Sequence, residues 1–412
     1  MSLLNHERLV ERAVLIYALV FVAVLTLSPM EFAWPTVWRV AWWSDWHDVP
    51  ANILFFMPVG YLFVLARAPD KGRPVLTAAL FGTLVSACVE TSQLFIAVRQ
   101  TSLTDLLGNG LGATLGGWLC TVVRAHLERV FPDLLTLDHP LLNVVYLSLP
   151  LMGLASIDEY GHSPRTWLLL PLGLMGVITI SGLWRYRLAG RKPGSPLTVV
   201  FAVLAWFLSG ASLASLQAPG IVAICTVAIL CSTLALLARD PRWVGEDGRF
   251  EQRVLVRLWP CLLVYLVMLV FWRPSLGFSA FHAGLWYPPM PFSRHLAVRV
   301  AEQAAALTLF GYLAAETMGR DPRSTRWVYA GCVLAGTMCA LVLELGHGFL
   351  VRDQASLARG ILTVLGSGFG VFLFAIRINV VRMLRGDSGP TWTTGCAHPS
   401  TPTVNASNPW VA

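Results

Sequence analysis

Residues 75–98 read VLTAALFGTLVSACVETSQLFIAV, 24 residues in which Glu90 is the only charge. A helix of that length spans about 36 Å at 1.5 Å per residue. That is enough to cross a hydrocarbon core of ~30 Å. A carboxyl group inside such a run is costly in lipid and is a functional candidate by default. The polar string continues past the run. Glu90 and Gln93 are followed by Phe95, Arg99, Ser102, Asp105, Asn109, Gly112 and Gly116. A weaker form returns 254 residues later, where Glu344, Phe349, Ser356, Leu357, Gly366 and Gly370 fall at the same offsets. A pattern met twice indicates a fold built from repeats.

Working outward, similar apolar runs recur along the 412 residues, of which 56% are hydrophobic and 13% charged. Mean hydropathy is +0.63, far above that of a soluble domain. The expected fold class is an all-α, polytopic transmembrane helical bundle. A membrane barrel would instead show alternating segments of roughly ten residues. Twelve spans are expected, near 13–30, 51–66, 75–98, 105–123, 141–157, 166–183, 198–216, 220–238, 254–272, 297–315, 327–350 and 360–377. The first lacks a small-residue cleavage site and reads as an uncleaved helix.

The net charge of +7 is a topology signal rather than a nucleic-acid signal. With a cytoplasmic N-terminus, 22 Lys and Arg fall in inside segments and 8 outside, accounting for all 30. Both termini are therefore expected in the cytoplasm. Cys88, Cys120, Cys225, Cys231, Cys261, Cys332 and Cys339 fall inside the expected spans without metal-ligand spacing. They read as packing residues. No cofactor and no metal is expected.

Four blocks follow from these spans. Residues 1–125 hold four helices and the intact motif, and 126–250 hold four helices with little polar content. Residues 251–377 hold four helices and the weaker motif, and 378–412 read as a disordered cytoplasmic tail. Even span numbers make the two motif blocks parallel four-helix repeats. Gly60-Tyr61-Leu62 matches Gly311-Tyr312-Leu313 at an offset of 251, so a three-residue insertion separates the landmarks.

Helical geometry then places the motif. Glu90 and Gln93 share one face near the outer end of the third span. Arg99 and Ser102 lie in the following turn. Asp105, Asn109, Gly112 and Gly116 form one stripe on the fourth span. Gly108, Gly112 and Gly116 make a double small-xxx-small pattern for close helix packing, and Gly366 and Gly370 are its counterpart. Asp48 and Asn52 open the second span as Asp105 and Asn109 open the fourth. A binding pocket on the extracytoplasmic side would comprise Glu90, Gln93, Arg99, Ser102, Asp105, Asn109, Asp48 and Asn52.

Three roles fit this set. The plainest is an internally satisfied network in which Arg99 pairs with Glu90 or Asp105. The second is ligand binding or transport. The third, catalysis, is the weakest, because no His or Cys nucleophile accompanies Glu90. In the weaker copy the positions of Asp48, Arg99 and Asp105 become Arg299, Asp353 and Arg359. This sign change suggests either drift or complementary packing of the two copies.

Glu90-x-x-Gln93-x-Phe95 with Arg99, Ser102, Asp105, Asn109, Gly112 and Gly116 resembles the signature of the VanZ-like family. Asp48-x-x-x-Asn52 through Pro58 and Gly60 resembles that family's second helix. The resemblance covers roughly residues 10–125, and residues 297–375 resemble the same domain weakly. It implies a bacterial integral membrane protein of the inner membrane. The family's namesake is associated with low-level resistance to the glycopeptide teicoplanin, and no biochemical activity is established for the family. The expected function is therefore binding or handling of an amphiphilic cell-envelope molecule, such as a lipid or a lipid-linked precursor. A proton- or cation-coupled transporter and a structural scaffold are the alternatives, and no nucleic-acid partner is expected.

Remaining features carry less. Trp34, Trp38, Trp42 and Trp46 recur every four residues and would form an interfacial stripe if helical. The loop 273–296 is similarly aromatic. Asp158, Glu159 and His162 cluster in one expected outside loop, where a solvated surface is the plainer reading than a metal site.

Overall fold

Apolar runs bounded by proline, glycine and charged residues become helices. The structure is a computed structural model. It describes residues 9–27, 32–35, 38–43, 48–67, 72–96, 99–130, 164–187, 195–211, 214–215, 218–238, 250–271, 278–284, 294–318, 326–350 and 354–384. The first group of helices is α1 (Leu9–Leu27), α2 (Asp48–Ala66), α3 (Pro74–Gln93) and α4 (Leu103–Val130). A tight helical turn (Pro164–Leu168), α5 (Leu169–Arg187), α6 (Pro196–Gly210) and α7 (Pro219–Ala238) follow. The last group is α8 (Phe250–Phe271), α9 (Arg294–Met318), α10 (Arg326–Gly348) and α11 (Leu357–Leu384). Pro74 and Pro196 occupy first turns, where the missing N–H would have no intrahelical partner. Ser195 accepts the Leu197 N–H and caps α6.

The chain is an all-α bundle whose surface is apolar. Leu76, Leu80 and Leu84 are exposed along one face of α3, while Ala78, Gly82, Ser86, Glu90 and Gln93 are buried on the other. Leu103, Leu107, Leu111 and Leu115 are likewise exposed on α4. A helix in water turns its polar face outward, so this inverted arrangement belongs to lipid. Among the described residues seven helical segments are long and apolar enough to cross a membrane. Eleven of the twelve expected spans coincide with helices, and the span at 141–157 lies outside the described residues. The count of twelve is therefore not reached. α6 and α8 offer only shorter apolar stretches, Pro196–Leu208 and Val256–Phe271, and α4 and α9 carry polar stripes that are turned into the protein.

Two expected boundaries also move. α4 runs through 125 to Val130, since no glycine or proline interrupts 118–130. α11 continues through 378 to Leu384. The rest of the expected tail, residues 385–412, lies outside the described residues.

α2 and α4 approach closely because glycine lines both. A Cβ on Gly60 would overlap the Ala113 carbonyl, and one on Gly116 would overlap the Met57 carbonyl. In the last group a Cβ on Gly311 would overlap the Ser367 carbonyl, and one on Gly370 the Thr308 carbonyl. These pairs stand at the offsets of 251 and 254 found in the sequence.

Short parallel strands close one end of each group. β1 (Val40–Ala41) pairs with β2 (Thr101–Ser102) in the register Val40↔Thr101 and Ala41↔Ser102. β3 (Ala283–Gly284) pairs with β4 (Ala355–Ser356) as Ala283↔Ala355 and Gly284↔Ser356. Isolated bridges Phe32↔Ile96 and Phe278↔Leu350 extend the two ribbons. The ribbon corrects the helical Trp stripe. Residues 38–43 are extended or strand, so Trp38 and Trp42 do not share a helix face, and Trp46 lies outside the described residues. Trp34 and Trp38 instead pack around Phe95, with ring centroids at 5.8 and 6.3 Å.

Candidate functional site

Glu90 ends the buried face of α3 directly beneath the β1–β2 ribbon. The chain turns after Gln93, and β2 brings the Ser102 N–H back to donate to Glu90 Oε2 at 2.9 Å. The Thr101 hydroxyl donates to the Glu90 backbone carbonyl at 2.9 Å. The Ser102 and Thr104 hydroxyls share a hydrogen bond of 2.7 Å. Glu90 is 6% exposed, and its Oε1 accepts no hydrogen bond from any described residue.

Asp105, in the first turn of α4, faces α2. Its Oδ1 accepts from Asn52 Nδ2 at 2.9 Å. Asp105 and Arg99 are the charged groups that act electrostatically on Glu90. An Arg99 guanidinium nitrogen also lies 3.5 Å from the Leu25 carbonyl of α1. One helical turn deeper, Asn109 Nδ2 donates to Ser86 Oγ at 2.9 Å. The Asn109 Oδ1 is buried without a hydrogen-bond partner among the described residues. Gln93 points elsewhere, donating to the Thr26 carbonyl at 2.9 Å and tying α3 to α1.

The residues expected in the pocket therefore sort into three places. On the facing surfaces of α2, α3 and α4 and on β2, Glu90 pairs with Ser102, Asp105 with Asn52, and Asn109 with Ser86. Gln93 and Arg99 reach toward α1. Asp48 opens α2, and its side chain lies outside the described residues. Gly112 and Gly116 meet the Ile53 and Met57 carbonyls, so they set the α2–α4 distance, whereas Gly108 is in ordinary contact with Asn52. Gly366 and Gly370 do the same against Ala304 and Thr308.

The second group answers the same geometry differently. Glu344 Oε2 accepts the Ser356 N–H at 3.0 Å, as Glu90 does from Ser102. Arg359 stands at the Asp105 position and grips both carboxylate oxygens of Glu344, at 2.7 and 2.8 Å. Gln303, at the Asn52 position, donates to Glu344 Oε1 at 3.2 Å. Ser86 and Asn109 become Ala340 and Thr363, and the Thr363 hydroxyl turns back to the Gly360 carbonyl. Arg359 is thus satisfied within its own group. Of the two readings of the sign change, drift and complementary packing, this pairing speaks against the second.

Sequence reasoning missed two buried clusters elsewhere. Arg165 and Glu302 form an ion pair, and Tyr265 donates to Glu302 Oε1 at 2.9 Å. Arg377 donates to Glu316 at 2.5 Å and to the Tyr312 hydroxyl at 2.6 Å. Glu302 lay inside an apolar span, and that signal could have found it. Among the described residues no three His, Cys, Asp or Glu side chains are grouped to hold a metal ion. Asp158, Glu159 and His162 lie outside the described residues.

The family comparison covers the first group. A model described as VanZ/LLP1 matches residues 5–124. The match covers 120 of the 412 residues, so this stretch is similar to that family and is VanZ-like. No curated protein and no solved structure matches the chain. Every residue of the Glu90 cluster lies within the VanZ-like domain, and so does its buried unpartnered acceptor, Asn109 Oδ1.

Proposed function

We propose that the VanZ-like domain binds the polar head of an amphiphilic cell-envelope molecule between α2, α3 and α4, beneath the β1–β2 ribbon. The observation that carries this reading is Asn109 Oδ1, a buried acceptor without a hydrogen-bond partner among the described residues. Asn109 is on the same helix as Asp105 and is bonded through its amide to Ser86, one turn from the buried Glu90. Buried acceptors without donors are expensive, at about 1–3 kcal/mol each. A scaffold built only for stability would satisfy them, as the Glu344 cluster does. The lipid-facing leucines on α3 and α4 give an acyl chain a surface beside that head.

On this reading the ribbon end faces outward across the bacterial inner membrane, and both termini are cytoplasmic. The Lys and Arg distribution supports that orientation. The four last helices are a second, diverged copy of the domain, which the matched glycine contacts and ribbons support. A head-group site on the cell-wall side would also be a means of altering sensitivity to a lipophilic glycopeptide.

Native mass spectrometry of the purified full chain tests the proposal. A co-purifying amphiphile on the wild type that is lost in Glu90→Gln is the expected result. No adduct on either protein would overturn binding in favour of a scaffold. Proton-gradient-dependent uptake of a small solute by proteoliposomes, abolished in the same variant, would replace binding with transport.

A further inference from the structure

Exposed side chains change character in the same order in both groups. Lipid-facing leucines run along α4 from Leu103 to Leu115, and Leu103 directly follows β2. At the ribbon the exposed side chains become aromatic. Trp34 and Trp42 are each 80% exposed, and Phe32, Trp38 and Val40 are exposed with them. The last group repeats this order with other residues. Leu357, Ile361 and Leu365 are exposed on α11 directly after β4, and Phe278, Phe281 and Phe349 are exposed on and beside the second ribbon. Two aromatic positions correspond. Phe32 and Phe278 each make the isolated bridge of their ribbon. Trp38 and Phe281 each stand two residues before the paired strand.

Two constraints fix the medium around the first ribbon. Among the described residues β1 pairs with β2 alone, so one of its edges has no strand beside it. Hydrocarbon cannot satisfy the backbone groups of an open edge. Bulk water, in turn, rarely meets so large a contiguous apolar patch. The layer of lipid head groups and water meets both demands. It hydrogen-bonds the open edge, and it suits indole rings, which carry an apolar body and one N–H. α10 supplies the depth scale. Trp327, 82% exposed, opens this helix, and Phe349 follows its other end beside the second ribbon. The 22 residues Trp327–Gly348 span about 33 Å, the thickness of one hydrocarbon core.

We propose that the β1–β2 ribbon is a membrane foot, whose outer face binds the head-group layer of the bilayer through Trp34, Trp38 and Trp42. The β3–β4 ribbon does the same through Phe278 and Phe281. The partner is a lipid surface rather than one lipid molecule. Because β2 presents the Ser102 N–H to Glu90, the foot also sets the depth of Glu90, just inside the head groups. This placement is independent of the binding reading, since an empty Glu90 cluster would lie at the same depth.

Depth-resolved fluorescence quenching of the full chain in liposomes tests it. The triple change Trp34→Phe, Trp38→Phe and Trp42→Phe silences three of the 16 tryptophans and keeps a ring at each place. The emission lost in that variant is the signal of the ribbon. It is expected to be quenched severalfold more by phosphatidylcholine brominated near the ester end of the acyl chain than by the same lipid brominated near the methyl end. Equal or stronger quenching by the deep bromine puts the ribbon in hydrocarbon and overturns the proposal. Quenching by aqueous iodide with no response to either bromine puts it in bulk water and overturns it too. No response to any quencher means that protein covers the rings, a second copy or another chain, and also overturns it. Phe278→Trp adds one emitter to the second ribbon, and its gained emission is expected to show the same shallow preference. That arm keeps the test decisive if the triple variant does not fold, and a deep or purely aqueous response there overturns the shared placement.

Discussion

At the residue scale, Glu90 and Glu344 are two identical side chains with opposite consequences. Glu344 neutralises a buried arginine, and removing one partner of such a pair costs about 3–5 kcal/mol. Glu90 accepts one amide, which the neutral Gln oxygen can still accept. Thermal unfolding in detergent is therefore expected to show Glu344→Ala strongly destabilised and Glu90→Gln within about 1 kcal/mol of wild type. A large loss in Glu90→Gln would show that the VanZ-like cluster is structural after all. The sequence displayed Glu90, Asp105 and Asn109 because they recur at helical spacing in apolar surroundings. It did not display their partners. Asn52 meets Asp105 across 53 positions and Gln93 meets Thr26 across 67, and periodicity within a helix carries no information about such pairings. The sign reversal at 105 and 359 was visible, but the sequence left drift and complementary packing both open. Arg359 answers the carboxylate of its own group rather than one in the other copy.

At the element scale, small residues and ribbons fix what the polar groups can reach. Gly116 holds α4 against the α2 backbone, so a methyl group there forces the helices apart. Gly116→Ala is expected to destabilise by about 1–3 kcal/mol. Gly331 has open space around its Cβ direction in α10. Gly331→Ala is expected to be neutral or to gain up to about 1 kcal/mol from helix propensity. Unfolding of the two variants side by side checks the contrast, and equal losses would discard the packing argument. The ribbon has a role of its own, since β2 presents the Ser102 N–H. Ser102→Ala keeps that donor and is expected to cost less than about 1 kcal/mol. Ser102→Pro removes it and is expected to cost about 1.5–3 kcal/mol, the worth of a hydrogen bond to a charged group. The small-xxx-small spacing showed the glycine contacts, because helix geometry is local. The ribbons were hidden, because two-residue strands pair across 61 and 72 positions and the Trp spacing imitates a helix.

At the scale of the whole molecule, α9 is the axis. It is buried along most of its length and packs against α8, α10 and α11, and also against α1 of the VanZ-like domain. Tyr17 reaches it from α1, bonding the Thr308 hydroxyl at 2.7 Å and stacking on Phe369 with ring centroids 4.8 Å apart. From the middle of the chain Arg165 reaches it too, pairing with Glu302 beside Tyr265. The sequence offered 297–315 as a span, although Glu302 and Gln303 lower its hydropathy, and α9 is not among the seven described helices apolar enough to cross. Those residues are affordable only because other helices shield them from lipid, and shielding is a tertiary property. The Arg165–Glu302 pair then has a testable meaning for assembly. Buried pairs bring specificity more reliably than stability, since desolvation offsets their attraction. Glu302→Ala strands a buried guanidinium and is expected to cost about 3–5 kcal/mol. The triple change Arg165→Met, Glu302→Met and Tyr265→Phe removes these three polar groups at similar volume. It is expected to unfold within about 2 kcal/mol of wild type. The discriminating measurement is cysteine cross-linking between the Pro164–Leu168 turn and α9 in that triple variant. Cross-linking spread over several registers would mean that the ion pair selects how the middle helices dock. A single wild-type register would assign docking to the apolar contacts around Leu168, Leu172 and Leu262 instead.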